Sequence, residues 1–148
     1  MIGVDTNILL HAHRSDSQWH DQARSKVAAL ANQSSPWAIP WPCVHEFLAI
    51  ATHPQVFATP TPPELAIDQV RAWFESPSLV TLGEGPGYMD LLASLMTSAK
   101  TRGPRVHDAR IAAICLYNGV SELWTADRDF LAFPALIFII VLVAVRGA

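Results

Sequence analysis

The sequence predicts an α/β fold: a mostly parallel central sheet with helices on both faces. Three observations predict it. Short apolar stretches alternate with segments of helical periodicity almost throughout the 148 residues, as expected of a parallel sheet covered by crossover helices. The hydrophobic fraction, 51%, is ample for one core in a chain of this length and argues against disorder. No internal repeat and no long linker interrupts the pattern, so residues 1–148 read as a single domain.

Taken in order, Ile2 to Val4 reads as a strand ending at Asp5. Residues 6 to 13 then enter a helix, with Thr6 or Asn7 available as cap. In "DSQWHDQARSKVAALAN" the residues Trp19, Ala23, Val27 and Leu30 fall on one helical face. "WAIPW" reads as a second strand, and Pro40 confines it to an edge or marks its end. Pro42 suits the first turn of the next helix, "PCVHEFLAIAT", which stops before Pro54. Thr61 and Glu64 have capping-box spacing ahead of a helix carrying Leu65, Val70, Trp73 and Phe74. "LVTL" at 79–82 is a strand. Residues 88–102 and 107–118 read as helices stopped by Gly103 and Gly119. "ELWTA" is a strand, and the tail supplies a last one.

The formal charge is −3, which gives no support to a binder held to nucleic acid by bulk electrostatics. Bound cations would change that local balance. Eight of the ten basic residues are Arg, a residue suited to bidentate phosphate contacts. Cys43 and Cys115 sit far apart in apolar segments and read as buried thiols of a reducing compartment, the cytoplasm. "MIGVDTNILL" lacks a basic leader and is broken at Asp5, unlike a signal peptide. "ALIFIIVLVAV" is too short to cross a bilayer as a helix, so no membrane association is expected.

In open parallel sheets ligands bind outside the carboxyl ends of the strands. Asp5 ends the first strand and Asp127 follows "ELWT", so both belong on that rim. Asp108, in the first turn of its helix, and Glu46, one turn into the helix after Pro42, begin there too. Singly, each acid has an ordinary explanation. Asp5 and Asp108 suit helix starts, Asp127 and Asp129 suit a turn, and Glu46 suits a solvated helix face. Together, four acids from four segments would repel in an apolar setting and their pKa values would rise. A divalent cation removes that repulsion. An all-oxygen set without paired His or Cys suits Mg²⁺ or Mn²⁺ and disfavours Zn²⁺. The expected chemistry is metal-assisted attack of water on a phosphoryl centre.

The stretches "VDTNILLHA", "EFLAIATHPQVF", "VHDARIAA" and "LWTADRDFLAFP", in this order, resemble the PIN-domain ribonucleases, most closely the VapC-type toxins of bacterial toxin–antitoxin pairs. The resemblance runs from residue 1 to about residue 134. It implies a PIN-like three-layer sandwich and an Mg²⁺- or Mn²⁺-dependent endoribonuclease leaving 5′ phosphate and 3′ hydroxyl ends. It implies metal-binding, catalytic acids at Asp5, Glu46, Asp108 and Asp127, with Asp129 as a further contributor to the metal site. Asn7 and Thr125 look like the polar residues that orient those carboxylates. An RNA substrate, a cognate antitoxin that blocks the site, and a homodimer are implied as well. The tail, residues 135–148, departs from the family by staying apolar almost to its end.

Other assignments fit less well. A phosphatase of the haloacid-dehalogenase type needs an acid where Asn7 stands. A phospho-acceptor receiver needs a late lysine, and Lys26 and Lys100 both fall in helices. A metal-free ribonuclease would use a histidine from among His11, His13 and His107. The remaining alternative is an inactive PIN-like module that binds RNA or protein without cutting.

Overall fold

The computed structural model describes residues 1–140. The expected last strand is present as far as Ile140; the rest of the apolar tail, 141–148, lies outside the described residues. Among the described residues five strands form one sheet: β1 (Ile2–Val4), β2 (Trp37–Pro40), β3 (Leu79–Leu82), β4 (Glu122–Thr125) and β5 (Phe138–Ile140). Their order is β3-β2-β1-β4-β5, and all four pairings are parallel. Six helices connect them: α1 (Thr6–His13), α2 (His20–Asn32), α3 (Trp41–Ala51), α4 (Pro63–Phe74), α5 (Tyr88–Ala99) and α6 (Val106–Tyr117).

This order makes β1 the centre of the sheet. The chain winds outward through β2 and β3, then returns to the other side of β1 with β4. Right-handed crossovers therefore put the first four helices on one face and α5 with α6 on the other. The packing agrees: α1 packs on α2 and α3, α3 on α4, and α5 on α6. The crevice between the ends of β1 and β4 is the topological switch point, where such sheets bind their ligands. The core fills the space between layers with Val4, Ile8, Leu9, Trp37, Ile39, Phe47, Ile114 and Leu123, all fully buried.

Several local expectations need correction. The cap of α1 is Asp5, whose side chain accepts the Thr6 N–H; Thr6 and Asn7 already lie inside the helix. Of the two places open to Pro40 it takes the strand's end, where it precedes α3, and β2 itself is interior. Thr61 and Glu64 form no capping box. Pro62 occupies the cap position without a side-chain bond, and the Thr61 hydroxyl is engaged by His13 at 3.0 Å and Arg14 at 3.4 Å. α5 ends before Lys100, which takes a left-handed conformation (φ 51°). Gly103 begins a short 3₁₀ turn, Gly103–Arg105, that leads into α6.

Candidate active site

Asp5 sits at the switch point, 4% exposed. Four donors surround its carboxylate. Thr6 N–H reaches Oδ1 at 2.8 Å and the Cys43 thiol reaches it at 3.6 Å. The Thr125 hydroxyl donates to Oδ2 at 2.7 Å and Asn7 Nδ2 at 3.2 Å. Burial nevertheless dominates and pushes the Asp5 pKa from 3.8 to about 6, with Glu46 adding repulsion. The same burial, then the nearby Asp5 charge, holds the Cys43 thiol far above its usual range. Its sulfur stands as a donor to Asp5.

Thr125 and Asn7 tie the strand end to the helix start. Thr125 Oγ1 also accepts from Asn7 Nδ2 at 3.1 Å and from the Asp127 N–H at 2.9 Å. Asn7 Oδ1 accepts the Ala126 N–H at 2.9 Å. The backbone between β4 and Asp127 is thus fixed against α1. Asp127 in turn caps a 3₁₀ turn, Arg128–Ala132, accepting the Asp129 N–H at 2.8 Å. The ordinary turn-forming role of "DRD" is real. It coexists with a place at the rim.

Asp5, Glu46, Asp108 and Asp127 line one small cavity of about 100 Å³, together with Thr6 and Asn7. Glu46 is exposed, and its Oε2 accepts the Thr6 hydroxyl at 3.3 Å. Asp108 is held above the usual carboxylate range by burial first, then by Asp127, Asp129 and Glu46, with Arg105 opposing. Carboxylate oxygens of Asp108, Asp127 and Asp129 all lie within 4.8 Å of one another. Asp129 is exposed and borders the cavity's outer side, where Arg105 meets it at 3.5 Å. The four acids therefore line one cavity, while the acids that come within mutual ligating distance among the described residues are Asp108, Asp127 and Asp129. An all-oxygen donor set around a space of this size fits a hard divalent cation with its water.

His11 and His13 are engaged away from the acids. His11 Nδ1 contacts Ser17 Oγ at 2.6 Å, and His13 lies between Gln69 and Thr61. His107 is exposed on the wall of the adjoining groove. Three site neighbours escaped the sequence reading: Thr6 beside Glu46, Cys43 beside Asp5, and Arg105 beside Asp129. Helical spacing could have found two of them. Cys43 is three residues before Glu46 and Arg105 three before Asp108, so each lies one turn from an acid at the rim.

The PIN domain profile matches residues 2–136. Ribonuclease VapC43 of Mycobacterium tuberculosis is 32% identical over 136 residues, covering 92% of this chain and 92% of that protein. Ribonuclease VapC48 of the same organism is 28% identical over 132 residues, covering 89% and 91%. Among solved structures, VapBC2 from Rickettsia felis, bound to a DNA fragment from its promoter, superposes with a TM-score of 0.68 at 18% identity. That superposition covers 94% of this chain and 98% of the other; at such identity it is a likeness of fold. The profile spans nearly the whole chain and the VapC43 match is 32% identical over 92% of it, so the chain belongs to the PIN-domain family, among its VapC members.

Proposed function

We propose that this chain is the toxin of a toxin–antitoxin pair, a metal-dependent endoribonuclease acting in the cytoplasm. The observation that carries the proposal is the convergence of Asp5, Glu46, Asp108 and Asp127 on one cavity at the switch point. Those four residues would hold Mg²⁺ or Mn²⁺, with Asp129 assisting from the edge. Bound there, the cation would neutralise the carboxylates and polarise the scissile phosphate. Asp5, fixed by four donors, is oriented before any ligand arrives. Asn7 and Thr125 keep it so and set the position of Asp127. Glu46, whose Oε2 accepts the Thr6 hydroxyl at 3.3 Å, is the most exposed of the four and would help to hold the cation and its water. In-line attack then expels the 3′ oxygen, leaving 5′ phosphate and 3′ hydroxyl ends.

The relatives named ribonucleases support the activity, and a neighbour solved as a toxin–antitoxin complex supports an antitoxin partner. No helix among the described residues is long and apolar enough to cross a membrane. A homodimer and an RNA substrate belong to the same reading, with the whole chain as one domain. The decisive experiment digests a short RNA carrying one 2′-deoxy substitution at the cut site, in Mn²⁺ or in EDTA, and types the ends by mass. Water as nucleophile predicts cutting in Mn²⁺ alone, 5′ phosphate ends and tolerance of the deoxy position. Cyclic phosphate ends formed in EDTA would instead indicate a histidine mechanism that uses the 2′ hydroxyl.

A further inference from the structure

The outer edge of the acidic site is met by a cation of the chain's own. Asp108, Asp127 and Asp129 bring carboxylate oxygens within 4.8 Å of one another. The guanidinium of Arg105 stands beside them, 3.5 Å from Asp129 Oδ1. Both residues line a groove of about 610 Å³ that shares Glu46 and Asp108 with the small cavity. The groove's other arginine is committed elsewhere, since Arg110 bonds Glu84 at 2.7 Å.

Local structure puts Arg105 here against the preference of the helix it precedes. Gly103, at φ 61°, turns the chain after α5. The 3₁₀ turn Gly103–Arg105 then delivers Arg105 to the cap position of α6, where its side chain makes no capping bond. A cation is disfavoured at that end of a helix, because the dipole is positive there. Capping therefore gives no reason for an arginine, whereas the acids facing it do. Asp129 is placed for the contact in turn, its N–H held by Asp127 Oδ1 at 2.8 Å. The Arg105 charge also reaches Asp108, where it opposes the upward push of burial and of the neighbouring acids.

This contact is one that a divalent ion can displace. Both side chains are about half exposed, 59% and 49%, and an exposed pair at this distance contributes little to stability. A divalent ion carries twice the charge and takes carboxylate oxygens directly.

We propose that Arg105 is the resident counter-ion of the metal site: it holds Asp129 in the metal-free chain, yields that carboxylate to an entering Mg²⁺ or Mn²⁺, and so sets how much metal the site needs. The inference rests on the metal-dependent reading above and adds the residue that opposes loading. Arg105 acts through Asp129 and is a positioning residue. Breaking the pair weakens the net binding of the ion, and the released guanidinium stays in the groove as a repelling charge.

The test is Mn²⁺ binding to the purified chain, read from the free-ion signal in electron paramagnetic resonance. It compares wild type, Arg105→Gln, Arg105→Lys, Asp129→Asn and the double variant Arg105→Gln with Asp129→Asn. At low ionic strength Arg105→Gln is expected to bind Mn²⁺ about fivefold more tightly than wild type. That gain should shrink in roughly 1 M salt, which screens charges beyond about 3 Å. Arg105→Lys keeps the charge and should bind as wild type does, which separates charge from shape. With Asp129→Asn present most of the gain should vanish, because the pair is already broken. Arg105→Gln should also melt no higher than wild type in EDTA, yet gain more from Mn²⁺. Unchanged or weaker Mn²⁺ binding by Arg105→Gln would overturn the proposal. So would an equal gain in the Asp129→Asn background, or a gain shared by Arg105→Lys. In each of these cases wild type still binds Mn²⁺ and the metal site stands. A wild type that binds no Mn²⁺ ends both readings.

Discussion

At the residue scale the acids of the rim carry opposed demands. Asp5 is buried and its pKa is raised from 3.8 to about 6. Below both values the folded and unfolded chains hold the proton alike. As pH rises between them the unfolded chain ionises first, so stability falls, by about 3 kcal/mol for Asp5 alone, and stays lower above that window. Asp108 is shifted in the same direction by burial and by the acids facing it. Asp108→Asn should therefore fold, melt higher than wild type in EDTA at about pH 7, and converge with it towards about pH 4. It should also lose RNA cleavage, and Mg²⁺ should raise its melting temperature much less than that of the wild type. Thermal scans across pH, with and without Mg²⁺, check this; a variant that melts lower in EDTA and still cuts would contradict it. Asp127 and Asp129 separate by position. Asp127 lines the cavity, whereas Asp129 is exposed and tied to Arg105. Cleavage rates should thus fall far more for Asp127→Asn than for Asp129→Asn, and equal losses would mean that both ligate.

At the scale of elements, what the sequence could tell was governed by distance along the chain. Every described strand was legible because each is a short apolar run between breakers. The place of Asp5, Glu46, Asp108 and Asp127 on one rim was legible because a strand end or helix start puts them there whatever their rotamers. Caps were less legible, since tertiary partners compete for the same groups. The Thr61 hydroxyl goes to His13 and Arg14, 48 and 47 residues away, and no local spacing rule contains them. The end of α5 was misread for a related reason. Gly103 looked like the natural stop, but Lys100 takes the left-handed position at φ 51° and its N–H bonds back to Met96 and Thr97 carbonyls. A side chain there is strained by roughly 1 kcal/mol. Lys100→Gly should relieve that strain and stabilise the protein by up to about 1 kcal/mol, less the added freedom of its unfolded chain. Urea denaturation checks it, and a clear loss of stability would show that the lysine side chain has a structural task at the α5 terminus.

At the scale of the whole molecule, a parallel sheet gathers acids from positions 5, 46, 108 and 127 onto one rim of a chain whose net charge is −3. That concentration is unfavourable until something cationic enters. A divalent ion can do so, and so can a guanidinium from a partner protein, which would bridge two carboxylates by charge-assisted hydrogen bonds. Both bind the folded state alone, so either one raises the melting temperature by mass action. Because they relieve the same repulsion in the same 100 Å³ space, they should compete. The free chain is then expected to gain several degrees on adding millimolar Mg²⁺, on the order of the shift from 1–2 kcal/mol. The complex purified with its antitoxin should start higher and gain little further. Arg→Ala substitutions in the antitoxin segment that enters the cleft should restore the Mg²⁺ response without dissolving the complex, because an apolar contact elsewhere would survive them. An equal Mg²⁺ shift in free chain and complex would place the antitoxin outside the cleft, and inhibition would then have to work by covering the RNA path.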